Sequence, residues 1–284
     1  MPQLVALGSH QISAADGTKL HVVDYLLPPG QARGSIVIMH GLGEHSGRYQ
    51  HLATFLNGCG LSVRCYDHRG HGRSEGRRGD VINGDPMLQD AEIVIEDFSS
   101  RYAEPPFLFG HSMGGLFAAR YALSRLSPLR GLILSSPALA LRMSPFEYKL
   151  LAVAERLFAW LGLPNGLDAN IISHDPQLVA AYRADPLVHN KISARLLRSM
   201  LSSIAFCQQH AAEMTVPTLL QVAGADQAID PAGALQFSAH LPPELTQMRV
   251  YDSLFHEIFN EQDNAQVFDD LRDWFDTKLA PGTA

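Results

Sequence analysis

A chain of 284 residues, 46% of them hydrophobic, can form one large α/β domain or two small ones and can bury a sizeable core, which excludes a disordered chain. Its formal net charge of −7 argues against nucleic acid, or an anionic membrane surface, as the main partner. Three cysteines, Cys59, Cys65 and Cys207, fit neither a metal-ligand spacing nor a disulfide framework and read as thiols of a reducing compartment.

Residues 1–13 have neither the basic nor the long apolar stretch of a secretory leader. The longest apolar stretch, residues 150–163, is interrupted by Glu155 and Arg156, so no transmembrane helix follows from it. The expectation is a soluble cytoplasmic protein. Residues 20–26, after the turn signal Ala15-Asp16-Gly17, predict one of two antiparallel edge strands. Residues 35–39 are a continuous apolar run ending in His40-Gly41-Leu42-Gly43, the pattern of a buried parallel strand entering a glycine-rich loop. A helix over 49–57, a strand over 62–66, a loop over 67–74 and a helix over 87–102 follow. Strands over 107–109 and 132–134 flank a helical stretch that begins at 116–121. Strand and helix alternate, which predicts a mostly parallel sheet with helices on both faces. From 138 to 213 the rhythm breaks. No strand-like run is visible there, only helical patterns over 146–161, 176–182 and 194–210, and the stretch reads as a helical insertion. The alternation resumes with a strand over 218–222, a helix over 232–241, a strand over 248–251 and a helix over 265–279.

The chain is organised around Gly110-His111-Ser112-Met113-Gly114, a G-x-S-x-G match between a predicted strand and a predicted helix. In that context the serine occupies a strained turn, and a Cβ two residues to either side would collide with backbone. Ser112 is then a candidate nucleophile, and the Met113 N–H, at a helix start, is a candidate oxyanion donor. A serine hydroxyl needs a histidine to take its proton and a carboxylate to orient that histidine. Asp226 follows the 218–222 strand and His256 follows the 248–251 strand, in the chain order this arrangement requires. Asp230, before Pro231, is the competing acid, and Asp226 is favoured because it lies nearer the strand end. The second oxyanion donor belongs to the loop after the first parallel strand, where the Leu42 N–H stands. His68 and His71 lack a companion ligand set for a metal, so their loop reads as a tight structural connection.

Together these stretches resemble one family. The run from His40 through Glu44 and Arg48 to Tyr49, reading His-Gly-Leu-Gly-Glu-His-Ser-Gly-Arg-Tyr, is similar to the signature loop of monoacylglycerol lipases and related lysophospholipase-like serine hydrolases. Asp67-His68-Arg69-Gly70-His71-Gly72-Arg73-Ser74, Gly110 to Gly115 and His256-Glu257 match the same pattern, in order, over nearly the whole chain. The likeness is weakest in 138–213, where Asp185-Pro186-Leu187 still resembles a family element. The resemblance implies a single α/β-hydrolase domain over 1–284 with 138–213 as a helical cap. It implies Ser112, Asp226 and His256 as nucleophile, acid and base, with Leu42 and Met113 as oxyanion donors. Glu44 and Arg48 match a polar pair that shapes the substrate site. Tyr148, Leu151, Ala152, Glu155, Leu157, Phe158 and Leu161 share one amphipathic helix, and Leu157, Phe158 and Leu161 are expected to reach an acyl tunnel beneath the cap.

The expected activity is hydrolysis of monoacylglycerol-like lipid esters through an acyl-enzyme, with no cofactor and no metal. The apolar cap would allow transient contact with a membrane surface, and the oligomeric state stays open. A broad carboxylesterase or a lysophospholipase would share every catalytic residue, and a non-catalytic member of the fold would merely bind an apolar ligand. One departure is Asp226-Gln227-Ala228-Ile229-Asp230, where relatives often carry a basic and a β-branched residue after the acid.

Overall fold

A computed structural model of the chain describes residues 7–82 and 84–280; the leader reading over 1–13 therefore falls partly outside the described residues. Strands β1 (Leu7–Ser13) and β2 (Lys19–Tyr25) form an antiparallel pair across the Asp16-Gly17 turn. The alternating units follow as β3 (Gly34–Met39), α1 (Gln50–Gly58), β4 (Leu61–Tyr66), α2 (Pro86–Ser99), β5 (Phe107–His111), α3 (Met113–Leu123) and β6 (Gly131–Ser135). Between β6 and the next strand of the main sheet lie α4 (Pro145–Phe158), β7 (Gly162–Pro164), α5 (Pro176–Ala184), β8 (Lys191–Ser193) and α6 (Ala194–His210). The chain then returns as β9 (Thr218–Ala223), α7 (Pro231–His240), β10 (Thr246–Tyr251) and α8 (Ala265–Lys278).

The main sheet has the strand order β1-β2-β4-β3-β5-β6-β9-β10, antiparallel at β1-β2-β4 and parallel from β4 onward. The central strands are apolar on both faces because both faces are covered. Val37, Met39, Leu108 and Leu134 pack toward α2, α3 and α6, whereas Ile36, Ile38, Phe107 and Phe109 pack toward α1 and α8. Burying each such side chain stabilises by about 1.5–3 kcal/mol. Proline at the first turn pre-sets the helical φ of α2, α4, α5 and α7. The Ser144 and Glu147 side chains close a reciprocal cap on α4.

One sequence expectation is corrected here. Residues 138–213 are not purely helical, because β7 and β8 pair antiparallel, Gly162 opposite Ser193 and Pro164 opposite Lys191. Three-residue strands with exposed faces leave no apolar run to read. What the fold does for the site is simple. The carboxyl ends of β3, β5, β9 and β10 all open onto one edge of the parallel sheet, where loops from distant parts of the chain converge.

Candidate active site

Ser112 joins β5 to α3 with φ 53° and ψ −118°, a left-handed conformation that a non-glycine residue adopts only when its surroundings enforce it. Its N–H donates to the Ser135 carbonyl (3.0 Å) and its carbonyl accepts from Leu116 N and Ala138 N (3.0 Å each). The glycines of the motif are steric necessities. A Cβ at Gly110 would strike the Gly114 carbonyl, and a Cβ at Gly114 would strike the carbonyls of Met39 and His40. The close approach of α3 to β3 brings the two candidate oxyanion donors to the serine. Leu42, Ser112 and Met113 together line one cavity, and a Cβ on Gly41 would stand 3.3 Å from the Ser112 Cβ.

His256 and Asp226 meet although 30 residues separate them, with His256 Nδ1 2.6 Å from Asp226 Oδ2 and both side chains buried. A carboxylate only accepts, so Nδ1 carries the proton and Nε2 is left as an acceptor. Asp226 Oδ1 accepts from Ala228 N (2.8 Å) and Ile229 N (3.1 Å). Burial by itself would raise the Asp226 carboxyl, but His256 and the two amides hold it below the usual carboxylate range. Burial by itself would lower His256, but Asp226, and beyond it Glu257 and Glu44, raise it above 6.5. The competing acid is occupied elsewhere: Asp230 caps α7 by accepting from Ala232 N (3.1 Å). His256 packs against His111, the residue before Ser112, with ring centroids 4.7 Å apart. Burial and the neighbouring His256 push His111 down to about 4, so it stays neutral at ordinary pH. Sequence reasoning had no signal for His111, which fills a variable position of the motif.

Glu44 and Arg48 lie behind the loop rather than in the cavity. Gly41 N (2.5 Å), the Tyr49 hydroxyl (2.6 Å) and Arg48 (2.6 Å) all donate to the Glu44 carboxylate. Burial opposes ionisation of Glu44, and Arg48, His111, Tyr49 and Gly41 outweigh it, so the carboxyl is held low. Arg48 also makes a two-pronged contact to Glu257 (2.6 and 2.7 Å) and lies over the Tyr182 ring of α5 (4.7 Å). Glu44 and Arg48, expected to shape the substrate site, hold the loops of Gly41 and Glu257 together from behind it. Further ties reach this loop from the 138–213 segment: His45 Nε2 donates to Asp185 Oδ2 (2.8 Å) and His189 N donates to the Gly43 carbonyl (2.8 Å). His68 and His71 form a buried ring cluster with His40, and the half-buried His189 packs against His71. Burial and neighbouring imidazoles hold His68 and His71 well below 6.5. Among the described residues no group of three or more His, Cys, Asp or Glu is arranged to hold a metal ion.

The cavity holds about 480 Å3 and is lined mostly by apolar side chains from the 138–213 segment, among them Leu150, Leu151, Ala154, Ile192, Leu197 and Met200. Leu157, Phe158 and Leu161, expected to reach it, do not line it and are 63%, 54% and 40% exposed. Leu157 and Phe158 share the face of α4 that carries Leu150, Leu151 and Ala154, and Leu161 lies beyond the helix end. A helix of 14 residues is ~21 Å long, and the cavity takes only its first turns, so the later residues run past the rim.

Comparison with known proteins agrees with this geometry. Residues 30–263 match the hydrolase family described as serine aminopeptidase, S33. The chain is 33% identical to a monoacylglycerol lipase of Mycolicibacterium smegmatis, over 95% of this chain and 97% of that one. It is 31% identical to a monoglyceride lipase of Homo sapiens, over 95% and 91%. A crystal structure of the Paleococcus ferrophilus monoacylglycerol lipase superposes with a TM-score of 0.83 at 35% identity, covering 91% of this chain and 99% of that one. With the sheet order, the turn at Ser112 and these likenesses in agreement, the chain belongs to the monoacylglycerol lipase family of α/β-hydrolases and is a carboxylic ester hydrolase.

Proposed function

We propose that the chain cleaves monoacylglycerol-like lipid esters in the cytoplasm through an acyl-enzyme on Ser112, as a single domain over 1–284 whose residues 138–213 form a cap. The observation that carries this reading is that Leu42, Ser112 and Met113 border the same largely apolar cavity. Its volume falls in the ~300–1,000 Å3 range of small-molecule sites, which suits one acyl chain better than three. In this reading Ser112 Oγ attacks the ester carbonyl while His256 Nε2 takes its proton. The N–H groups of Leu42 and Met113 receive the developing oxyanion, and His256 returns the proton to the leaving glycerol oxygen. Water, deprotonated by His256, then attacks the acyl-Ser112 carbonyl and releases the fatty acid and the free serine. Asp226 keeps the imidazole in the required tautomer and stabilises its charged form. The three cysteines are free thiols, which suits a reducing compartment.

Phe146, Val153, Leu157, Phe158 and Trp160 stand exposed on or beside α4. In this reading they make transient contact with the lipid surface from which substrate enters. The test is a panel of p-nitrophenyl esters of rising chain length, mono- and triacylglycerols below aggregation, a lysophospholipid and aminoacyl anilides. A rise in kcat/KM with chain length, and preference for mono- over triacylglycerol, supports the reading. A peak at acetate would make the chain a general carboxylesterase, preference for the lysophospholipid a lysophospholipase, and preference for anilides an aminopeptidase.

A further inference from the structure

Glu261 is a fully buried carboxylate outside the residues assigned above, its side chain 1% exposed. It accepts four hydrogen bonds. Oε2 receives the Ser173 hydroxyl and His174 N, each at 2.9 Å, and Oε1 receives the His174 ring Nδ1 and Phe255 N, each at 2.8 Å. Three of these donors come from residues 173–174, between a short 3-10 turn (Ala169–Ile171) and α5, within the cap. The fourth is the backbone N–H next to His256. Two further contacts join the same segments. The Phe255 ring stacks on the His174 ring, with centroids 3.6 Å apart, and Glu257 N donates to the Ile172 carbonyl (2.8 Å). Of the residues beside His256, Phe255 thus stacks on His174 and donates to Glu261, which holds 173–174, while Glu257 N bonds Ile172 and its side chain is held by Arg48.

We propose that Glu261 is a positioning residue that couples the seating of the cap to the placement of His256. The proposal rests on the reading of His256 as the general base. A buried carboxylate without its donors is strongly disfavoured, so its four bonds hold as a set. If residues 172–174 shift, Phe255 N loses its acceptor or follows them, and His256 moves with its neighbour. His256 is hydrogen-bonded to Asp226 and not to the Ser112 hydroxyl in this structure, so the seating of its loop sets how nearly Nε2 approaches that hydroxyl, and a displacement of a fraction of an ångström changes the approach. The cap would then do more than enclose the acyl chain: only when seated would it complete the geometry of proton transfer.

Glu261→Gln keeps the shape but replaces two acceptor sites by an amide NH2, so at least one backbone N–H, of Phe255 or of His174, faces a donor. The experiment measures kcat and KM on p-nitrophenyl butyrate, with active sites counted by fluorophosphonate titration to completion. The expected result for E261Q is an undiminished number of titratable sites, a per-site kcat lowered by roughly ten-fold or more, and a KM within about three-fold of the wild type. His174→Ala and Ser173→Ala, which leave the carboxylate in place, should each lower per-site kcat several-fold. The double variant E261Q/H174A should be no worse than E261Q alone, since both break one linkage. Should E261Q fail to fold, the two cap variants carry the test by the same per-site kcat. Per-site kcat within about two-fold of wild type in the folded variants, or losses confined to the number of titratable sites, would assign Glu261 a purely structural role. Full per-site kcat in His256→Ala would instead overturn the base assignment itself.

Discussion

Asp226 and Asp230 are four residues apart and do different work: Asp226 holds the His256 ring at 2.6 Å, and Asp230 caps α7 through Ala232 N. Asp226→Asn should leave the fold in place and lower kcat by on the order of 10^4, because an amide neither fixes the tautomer nor stabilises the imidazolium. Asp230→Asn should change kcat little, since asparagine also caps helices. Kinetics of the two variants side by side check the assignment, and the reverse ranking would move the acid to Asp230.

The pH dependence follows from the charges around His256. As the proposed base, His256 must be neutral to act, so kcat/KM falls as pH drops through its pKa, and the pKa raised by Asp226, Glu257 and Glu44 sets that limb above pH 6.5. His111, pushed down to about 4, titrates below this window and adds no second step. Glu257→Gln removes a negative charge and leaves Arg48 less compensated, and both changes disfavour the imidazolium. The limb should therefore move to lower pH, and a pH profile of kcat/KM on a soluble ester reads the shift. The same raised pKa stabilises the fold below pH 6.5 and loses that contribution as pH rises through the folded value, whereas the lowered Asp226 stabilises above 3.8 and loses its contribution on acidification.

Gly114→Ala should damage the fold as well as the chemistry. Its Cβ would meet backbone carbonyls of Met39 and His40, which cannot move without dragging β3 and the Gly41 loop. We expect destabilisation of ~1–3 kcal/mol or more, seen as a lowered Tm, together with loss of esterase activity.

The two ends of α4 should separate cleanly. Ala154→Trp fills the cavity and should lower kcat/KM for long acyl esters while sparing acetate. Leu157→Ser with Phe158→Ser, past the cavity rim, should leave soluble substrates unaffected and weaken binding to lipid vesicles in a sedimentation assay.

Much of this was legible because the relevant signals are local. Continuous apolar runs mark strands covered on both faces, and α6 spans Ala194–His210 as its pattern predicts. The serine turn was legible too, since its glycines answer to steric contacts within the motif and with β3. Partnerships across the chain were not. Nothing in the order of residues says that Glu261 will meet Ser173, 88 positions away, or that Tyr182 will lie under Arg48. Helical periodicity identifies the apolar face of α4 but not how far along it the cavity extends, which is why the pattern points Leu157, Phe158 and Leu161 to a cavity that they do not line.

The central claim is that an acyl group passes through Ser112. Intact-protein mass spectrometry of the enzyme, quenched with acid milliseconds after mixing with p-nitrophenyl decanoate, tests it most directly. The account predicts a decanoyl adduct that maps to the Ser112 peptide, forms with a burst of p-nitrophenol and is absent from Ser112→Ala, which should lose activity by orders of magnitude at nearly unchanged Tm. Undiminished turnover by Ser112→Ala, or an adduct on another residue, would contradict it.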